Sequence, residues 1–569
     1  MDVHPDKTSS GDEYYNLGTY HRAVSTRNQC AQKWFDRGLV WSYAFNHEES
    51  VTCFEEAAAI DPDCVMAYWG IAYALGPNYN KPWAVFDDRE LEENVGKALR
   101  SIKQAQKKAS QPGFRATAVE VALVNALQHR CPQTLGGFTP DEAFACGQKY
   151  AQAMRSVYQD FADDLDVATL YADALMNLAP WQLWDLKTGE PAEGAAALEV
   201  KQILERAIAR GHGATHHPGL LHLYIHLMEM SDRPELALTA ADCLRELVPD
   251  AGHLSHMPTH LDILCGDYRR AIASNSQAIA ADEKFVNRRG ARNFYALYRC
   301  HNYHFRIYAA MFAGQSKVAL ETTSALEAAL PDDLLRLESP PMADWLEGFL
   351  AMRVHVLIRF GLWHDIIDLQ LPGDREFYCT TTAMTLYAKG VALAATGRIH
   401  EAEEHRSLFR AAVKLVSPSR TLFNNTCCDI LTVAASMLDG EIEYRRGNPS
   451  VAFEYLRKAI ALEDSLPYDE PWGWMQPTRH AYGALLLEQG QVADAAAVYS
   501  ADLGLSKMLP RARQHRNNVW ALHGYHECLT MLGRKQEARI IETQLQLATA
   551  VADIRISSSC YCRKGVVGN

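Results

Sequence analysis

The chain has 569 residues, 48% hydrophobic and 22% charged, a globular composition long enough for one extended repeat array or several domains. Its formal net charge of -13 argues against nucleic acid as the main partner, because phosphate binding needs clustered Lys and Arg. No apolar run of about 18 residues is present to span a membrane, and the polar start MDVHPDKTSSGDEYYN does not read as a signal peptide.

Residues 1–29 read as an N-terminal extension, and the periodic helical pattern begins at about residue 30. In 31–64, AQKWFDRGLVWSYAFNHEESVTCFEEAAAIDPDC, Trp34, Gly38 and Trp41 share one helical face. Ser50, Phe54 and Ala57 share a face of the next helix, which Pro62 stops. Small residues at Gly38, Ser50 and Ala57 let two antiparallel helices approach, and the bulky residues fill the space between. In VMAYWGIAYAL, Tyr68 and Ala72 stand 34 residues after Trp34 and Gly38, one repeat length on. These residues resemble the tetratricopeptide repeat, with one departure: Arg37 occupies the place where leucine usually precedes the small residue. The resemblance implies an all-α solenoid of helical hairpins covering 30–545, wound as a right-handed superhelix, open or closed around a central groove.

Segments near 78–92, 130–142 and 180–196, rich in Pro, Gly, Asn or Trp, read as insertions between hairpins. The hairpin TLYADALMNLAPW places Asp173 on the inner wall, with Trp181 and Trp184 nearby. Later copies carry a glycine closing the first helix and an alanine five residues on: Gly266/Ala271, Gly314/Ala319, Gly397/Ala402, Gly447/Ala452, Gly490/Ala495 and Gly533/Ala538. Gly361 closes another hairpin. Such glycines suit a backbone turn that a side chain would strain.

The stretch 211–314 is rich in histidine: eight of the chain's 22 fall between His212 and His260, and His301 and His304 follow. His222 and His226 are four residues apart, as are His256 and His260, and the second pair lies 34 residues after the first. His256 and His304 each stand ten residues before a closing glycine, with Tyr308 one turn beyond His304. By resemblance to the repeat, these places face the concave groove. His222, His226, His256, His260 and His304 would then form a ladder that Glu229 extends with a carboxylate, and His301 would line the wall. Pro258 belongs in the first turn of a helix, so His256 is expected to precede that helix; His217–Pro218 reads as another helix start.

Neutral imidazoles bind Cu, Fe or Zn, two at i, i+4 can reach one ion, and a vacancy left open makes a site catalytic. In the C-terminal repeats, His480 stands ten residues before Gly490, accompanied by Trp472, Trp474 and Arg479. A superhelix is expected to bring this wall toward the ladder. Residues 546–569 read as a C-terminal tail, and its last part, SSSCYCRKGVVGN, reads as disordered. The 14 cysteines, with Cys427–Cys428 and Cys560-x-Cys562 the close pairs, lack a zinc-site pattern and read as buried thiols of a reducing, cytoplasmic compartment.

The segments DALMNLAPWQLWD, HPGLLHLYIHLMEMS, AGHLSHMPTHL, HNYHF and PWGWMQPTRHAYGALLL together resemble a widespread group of bacterial and fungal tetratricopeptide proteins without an established common activity. No P-loop, dinucleotide fingerprint, HExxH or GxSxG is present. Three readings follow. One is a metal-dependent enzyme acting on a small metabolite, an oxidoreductase in preference to a hydrolase or lyase. Its divalent transition metal (Cu, Fe or Zn) would be held by His222, His226, His256, His260 and His304. Glu229, Asp173 and Tyr308 would be its catalytic groups, and Trp181, Trp184, His301, Trp474, Arg479 and His480 its substrate wall. The second is a peptide- or protein-binding scaffold without catalysis, the usual task of this repeat, and the third is a structural or metal-storage protein whose metal would be coordinatively saturated.

Overall fold

The computed structural model describes residues 14–111, 116–132, 139–211 and 213–563, so His212 of the histidine series lies outside the described residues. The described chain is all-α and built of helical hairpins. Antiparallel pairs include Gln29–Tyr43 with His47–Ile60, Cys379–Ala395 with Ile399–Val413, Cys427–Arg445 with Pro449–Ser465, and Val519–Met531 with Lys535–Thr549. The one sheet among the described residues is a two-residue hairpin, Thr421–Leu422 with Asn425–Thr426.

The first hairpin shows why small residues recur. Phe54 is fully buried between Gly38 and Gly70, and a Cβ at either glycine would stand 2.7 or 2.5 Å from its ring. The seven closing glycines all adopt left-handed backbone, from +66° at Gly361 to +87° at Gly447, a region that other L-residues enter only at a cost. Their partner alanines are buried at the helix crossings.

The extension is docked from Tyr14 onward. Arg22 pairs with Asp164 and Asp166, and Tyr43 Oη donates to Asp166 at 2.5 Å. At the other end the chain beyond Thr549 is also packed, which corrects the expectation of disorder as far as Arg563. Arg359 reaches the Ser559 carbonyl at 2.5 Å, Ser558 to Cys562 are buried, and Cys560 and Cys562 are joined by a disulfide instead of remaining thiols. No helix among the described residues is long and apolar enough to cross a membrane.

In the middle of the array the hairpins are irregular. Pro218 opens the helix Pro218–Glu229, with His217 as N-cap accepting from the Leu220 amide at 3.1 Å. Pro258 opens Pro258–Cys265, so His256 rides on the separate short helix Gly252–His256, as the proline requires. Every residue of Pro218–Glu229 is buried. The segment Tyr468–Trp472, from the C-terminal repeats, crosses to join the core of the N-terminal half. The histidine face is therefore covered, and does not line the open concave groove that the repeat implies.

Candidate metal centre

Six imidazoles and two carboxylates meet in this covered interior. His222, His226, His253 and His256 are 0% exposed, His260 1%, His301 6%, Glu229 0% and Glu470 3%. They come from four places. Pro218–Glu229 supplies His222, His226 and Glu229; the helices around Pro258 supply His253, His256 and His260; Ala296–Phe312 supplies His301; the crossing segment supplies Glu470.

Hydrogen bonds at Nδ1 fix how these rings point. His222 Nδ1 lies 2.6 Å from the Tyr43 carbonyl oxygen, an atom that only accepts, so Nδ1 carries the proton. His226 Nδ1 donates to Glu229 Oε1 at 2.9 Å, and His260 Nδ1 faces two carboxylate oxygens, Glu229 Oε2 at 2.5 Å and Glu470 Oε2 at 2.6 Å. His256 Nδ1 donates to Asn275 Oδ1 at 2.7 Å, and Asn275 is oriented by its own amide N–H on the Ala271 carbonyl. In a neutral imidazole with Nδ1 protonated, Nε2 is a bare lone pair. Four such lone pairs therefore point into the interior.

Those lone pairs have no protein donor to meet. Nε2 of His222 and of His226 and both ring nitrogens of His253 are buried without a hydrogen-bond partner. His256 Nε2 and His260 Nε2 face each other at 2.7 Å, acceptor against acceptor. A buried unpaired polar atom costs about 1–3 kcal/mol, so this arrangement is expensive unless a cation occupies the space. Burial and the neighbouring imidazoles oppose a proton in that role. Burial lowers His222 to about 3. Burial, then the adjacent histidines, hold His226, His253 and His301 well below the ordinary value. His256 is held low by the same causes against its bond to Asn275. Burial, with Glu470 beside it, raises the Glu229 carboxyl well above the usual range.

The ligand atoms fall into three overlapping sets, each within 4.8 Å: His222, His226 and His253; His256, His260 and His301; and His226, Glu229, His260 and Glu470. Backing four of the six rings, His222, His226, His256 and His260, with an Nδ1 acceptor is the arrangement that orients histidine ligands in metal sites. Aromatic rings enclose the group. Phe45 lies 4.4 Å from His222, Trp181 5.6 Å from His226, Phe305 4.8 Å from His260 and Phe423 4.7 Å from His301, centroid to centroid. Three of these, Phe45 (φ 57°), Trp181 (φ 61°) and Phe423 (φ 49°), have left-handed backbone, a strain of about 1–2 kcal/mol each that the packing must hold.

The sequence-predicted residues separate cleanly. His222, His226, His256, His260, His301, Glu229 and Trp181 are brought together. Trp184 supports them from behind, donating Nε1–H to the Leu227 carbonyl at 2.6 Å. His304 is not brought in. One turn past His301, its Nε2 lies 2.8 Å from Met475 Sδ. Asp173 lies in a different cavity of about 350 Å³, bonded to Tyr73 Oη at 2.9 Å with Arg130 beside it. Tyr308 lines a small cavity behind Glu470, with Tyr468 and Asp469.

Trp474, Arg479 and His480 stay with the C-terminal repeats because only the loop before their helix crosses over. Trp474 packs on His355, Arg479 pairs with Asp464, and His480 bridges Arg359 and Asp502. His253 and Glu470 were not anticipated. His253 lies three residues before His256, one helical turn, but 34 residues before it stands Gly219, so the repeat register carried no sign of it. Glu470 is a loop residue without periodic context.

A chamber of about 240 Å³ abuts the first histidine set, lined by Phe45, Lys81, Phe86, Glu90, Phe294, Tyr295 and Tyr298 among others. Phe45 and Tyr298 separate it from His253, with ring centroids 5.7 and 4.8 Å from that imidazole.

Comparison with protein-family models gives no match, and comparison with curated proteins gives none. Among solved structures the chain is similar to yeast Tom70, at 10% identity over 91% of this chain and 93% of that one, with a TM-score of 0.26. It is similar to the APC/C hetero-tetramer Cut9–Hcn1, at 12% identity over 92% and 88%, TM-score 0.28. It is also similar to Naa15/Naa10 bound to HypK-THB, at 13% over 91% and 70%, TM-score 0.21.

Proposed function

We propose that this chain is a metal-dependent enzyme that carries out redox chemistry on a small aromatic metabolite, with copper or iron bound by the buried imidazoles. One observation carries the reading: the Nδ1 partners of His222, His226, His256 and His260 turn their Nε2 lone pairs inward, where no hydrogen-bond donor answers those of His222 and His226 and the other two face each other. Bound there, the ion would supply one-electron steps or an activated oxidant. The protein's part is to orient the ligands, exclude water and hold a proton on the Glu229–Glu470 pair.

The cover of Phe45, Trp181, Phe305 and Phe423 over these rings supports redox over hydrolysis, because it restricts the entry of a water ligand. The chamber of about 240 Å³ against His253 is lined by aromatic rings together with Glu48, Asn78, Lys81 and Glu90, and suits a small ring that carries polar groups. A peptide scaffold would need an exposed inner face, and the histidine face is buried.

The test is elemental analysis of protein purified without a His-tag, beside His226→Ala/His260→Ala. A transition metal near stoichiometry, absent from a folded double variant, is expected. Oxygen uptake with a panel of small phenols should then require the metal-loaded wild type. No metal after reconstitution with Cu(I), Fe(II) and Zn(II) would overturn the reading.

A further inference from the structure

The three overlapping sets do not describe three sites. His226 and His260 each belong to two sets, and Glu229 already receives a proton-bearing Nδ1 on each oxygen. Assigning each imidazole to one set leaves two trios, His222–His226–His253 and His256–His260–His301. Each trio holds one i, i+4 pair and one histidine from elsewhere: His253 comes from the helix before Pro258, and His301 from Ala296–Phe312. The trios are neighbours. The rings of His226 and His260 are 5.7 Å apart, and those of His253 and His256 are 5.8 Å apart. That spacing suits two ions about 3.5–4 Å apart, each with three nitrogen ligands and one open position.

Ligand type selects the metal. The interior holds six buried imidazoles in two trios, with Glu229 and Glu470 beside them. Two cations would answer both trios, whereas a lone ion beside one trio leaves the other trio's nitrogens unanswered. Imidazole trios suit copper, which has a stable monovalent state. We infer that the centre binds two copper ions side by side, one in each histidine trio, with the Glu229 carboxylate keyed to both. This inference rests on the metal-centre reading above and adds the number, place and identity of the ions.

The experiment is anaerobic Cu(I) titration against a chromogenic chelator, on wild type, His253→Phe and His301→Phe. Phenylalanine keeps a ring in each aromatic surrounding. Wild type is expected to bind two equivalents and each variant one. After oxidation, the coupled pair should give a much weaker Cu(II) resonance signal per ion than either single-site variant. Any variant whose circular dichroism departs from wild type is replaced by His222→Leu for the first trio or His256→Leu for the second. One equivalent in wild type overturns the pair, as does loss of both equivalents on changing either trio alone. Binding of zinc or iron with no copper retained overturns the metal assignment while sparing the centre. Absence of all metal removes the centre itself.

Discussion

Glu229 Oε2 accepts the Nδ1 proton of His260 at 2.5 Å, across 31 residues of chain, while its other oxygen accepts from His226 at 2.9 Å. One carboxylate thus touches an imidazole on each of two different helices, and Glu470 Oε2 joins it on His260 at 2.6 Å. Replacing Glu229 by glutamine leaves one acceptor oxygen and turns an N–H₂ toward the other histidine. Glu229→Gln is expected to weaken metal binding by about 10–100-fold, the usual effect of losing such a support, without unfolding the protein. Chelator competition with a circular-dichroism control measures it; unchanged affinity would show that Glu229 does not orient the ligands.

Phe45 makes a second test, because its backbone is left-handed (φ 57°) while its ring covers three histidines. Glycine tolerates that backbone and alanine does not. Phe45→Gly should therefore be more stable than Phe45→Ala by about 1 kcal/mol, the reverse of their order in a helix interior. Both should open the chamber toward His253 and speed metal removal by chelator by about tenfold, the factor given by about 1.4 kcal/mol of easier opening. Thermal melting and stopped-flow chelation separate the two effects.

Gly70 is fixed by packing. An added Cβ would meet the Phe54 ring at 2.5 Å, so Gly70→Ala should destabilise by about 1–3 kcal/mol through overpacking. Phe54→Leu in the same chain should recover part of that loss. A melting temperature unchanged by Gly70→Ala would mean that the two helices are less closely apposed than they are here.

Part of the acid sensitivity should reside in buried neutral histidines outside the metal centre, where it can be measured apart from the ligands. His355 is lowered to about 3 by burial, and His47 to about 3 by burial and then by Arg130. Both are unprotonated in the fold from about pH 6.5 down to about 3, whereas the unfolded chain takes up the proton at about 6.5. The unfolded state then binds more protons, so stability falls as pH drops through that window, each group contributing up to about 1.4 kcal/mol per unit. His355→Phe should flatten the pH dependence of the urea midpoint between pH 6.5 and 4.5. An unchanged slope would place the acid sensitivity elsewhere.

The repeat was legible because its determinants are local. Gly266 and Gly314 must turn the backbone, Ala271 and Ala319 must let helices cross, and Pro258 can only open a helix. Those requirements are written within a few residues, and they also marked the paired histidines at 222/226 and 256/260. His304 shows the limit of register. It repeats the ten-residue spacing to a closing glycine, yet its helix presents it to Met475, and His301, one turn earlier, takes the place in the cluster.

By itself, the sequence determined an all-helical array of hairpins and two i, i+4 histidine pairs one repeat apart, since both follow from 3.6-residue periodicity and single-residue backbone preferences. Only the tertiary structure decided that the inner face is buried, that His253 and Glu470 complete the cluster, and that Tyr43, Asn275 and Glu229 turn the Nε2 lone pairs inward. Those outcomes depend on contacts between residues as far apart as Tyr43 and His222, or Glu229 and Glu470, which packing makes and local spacing does not encode.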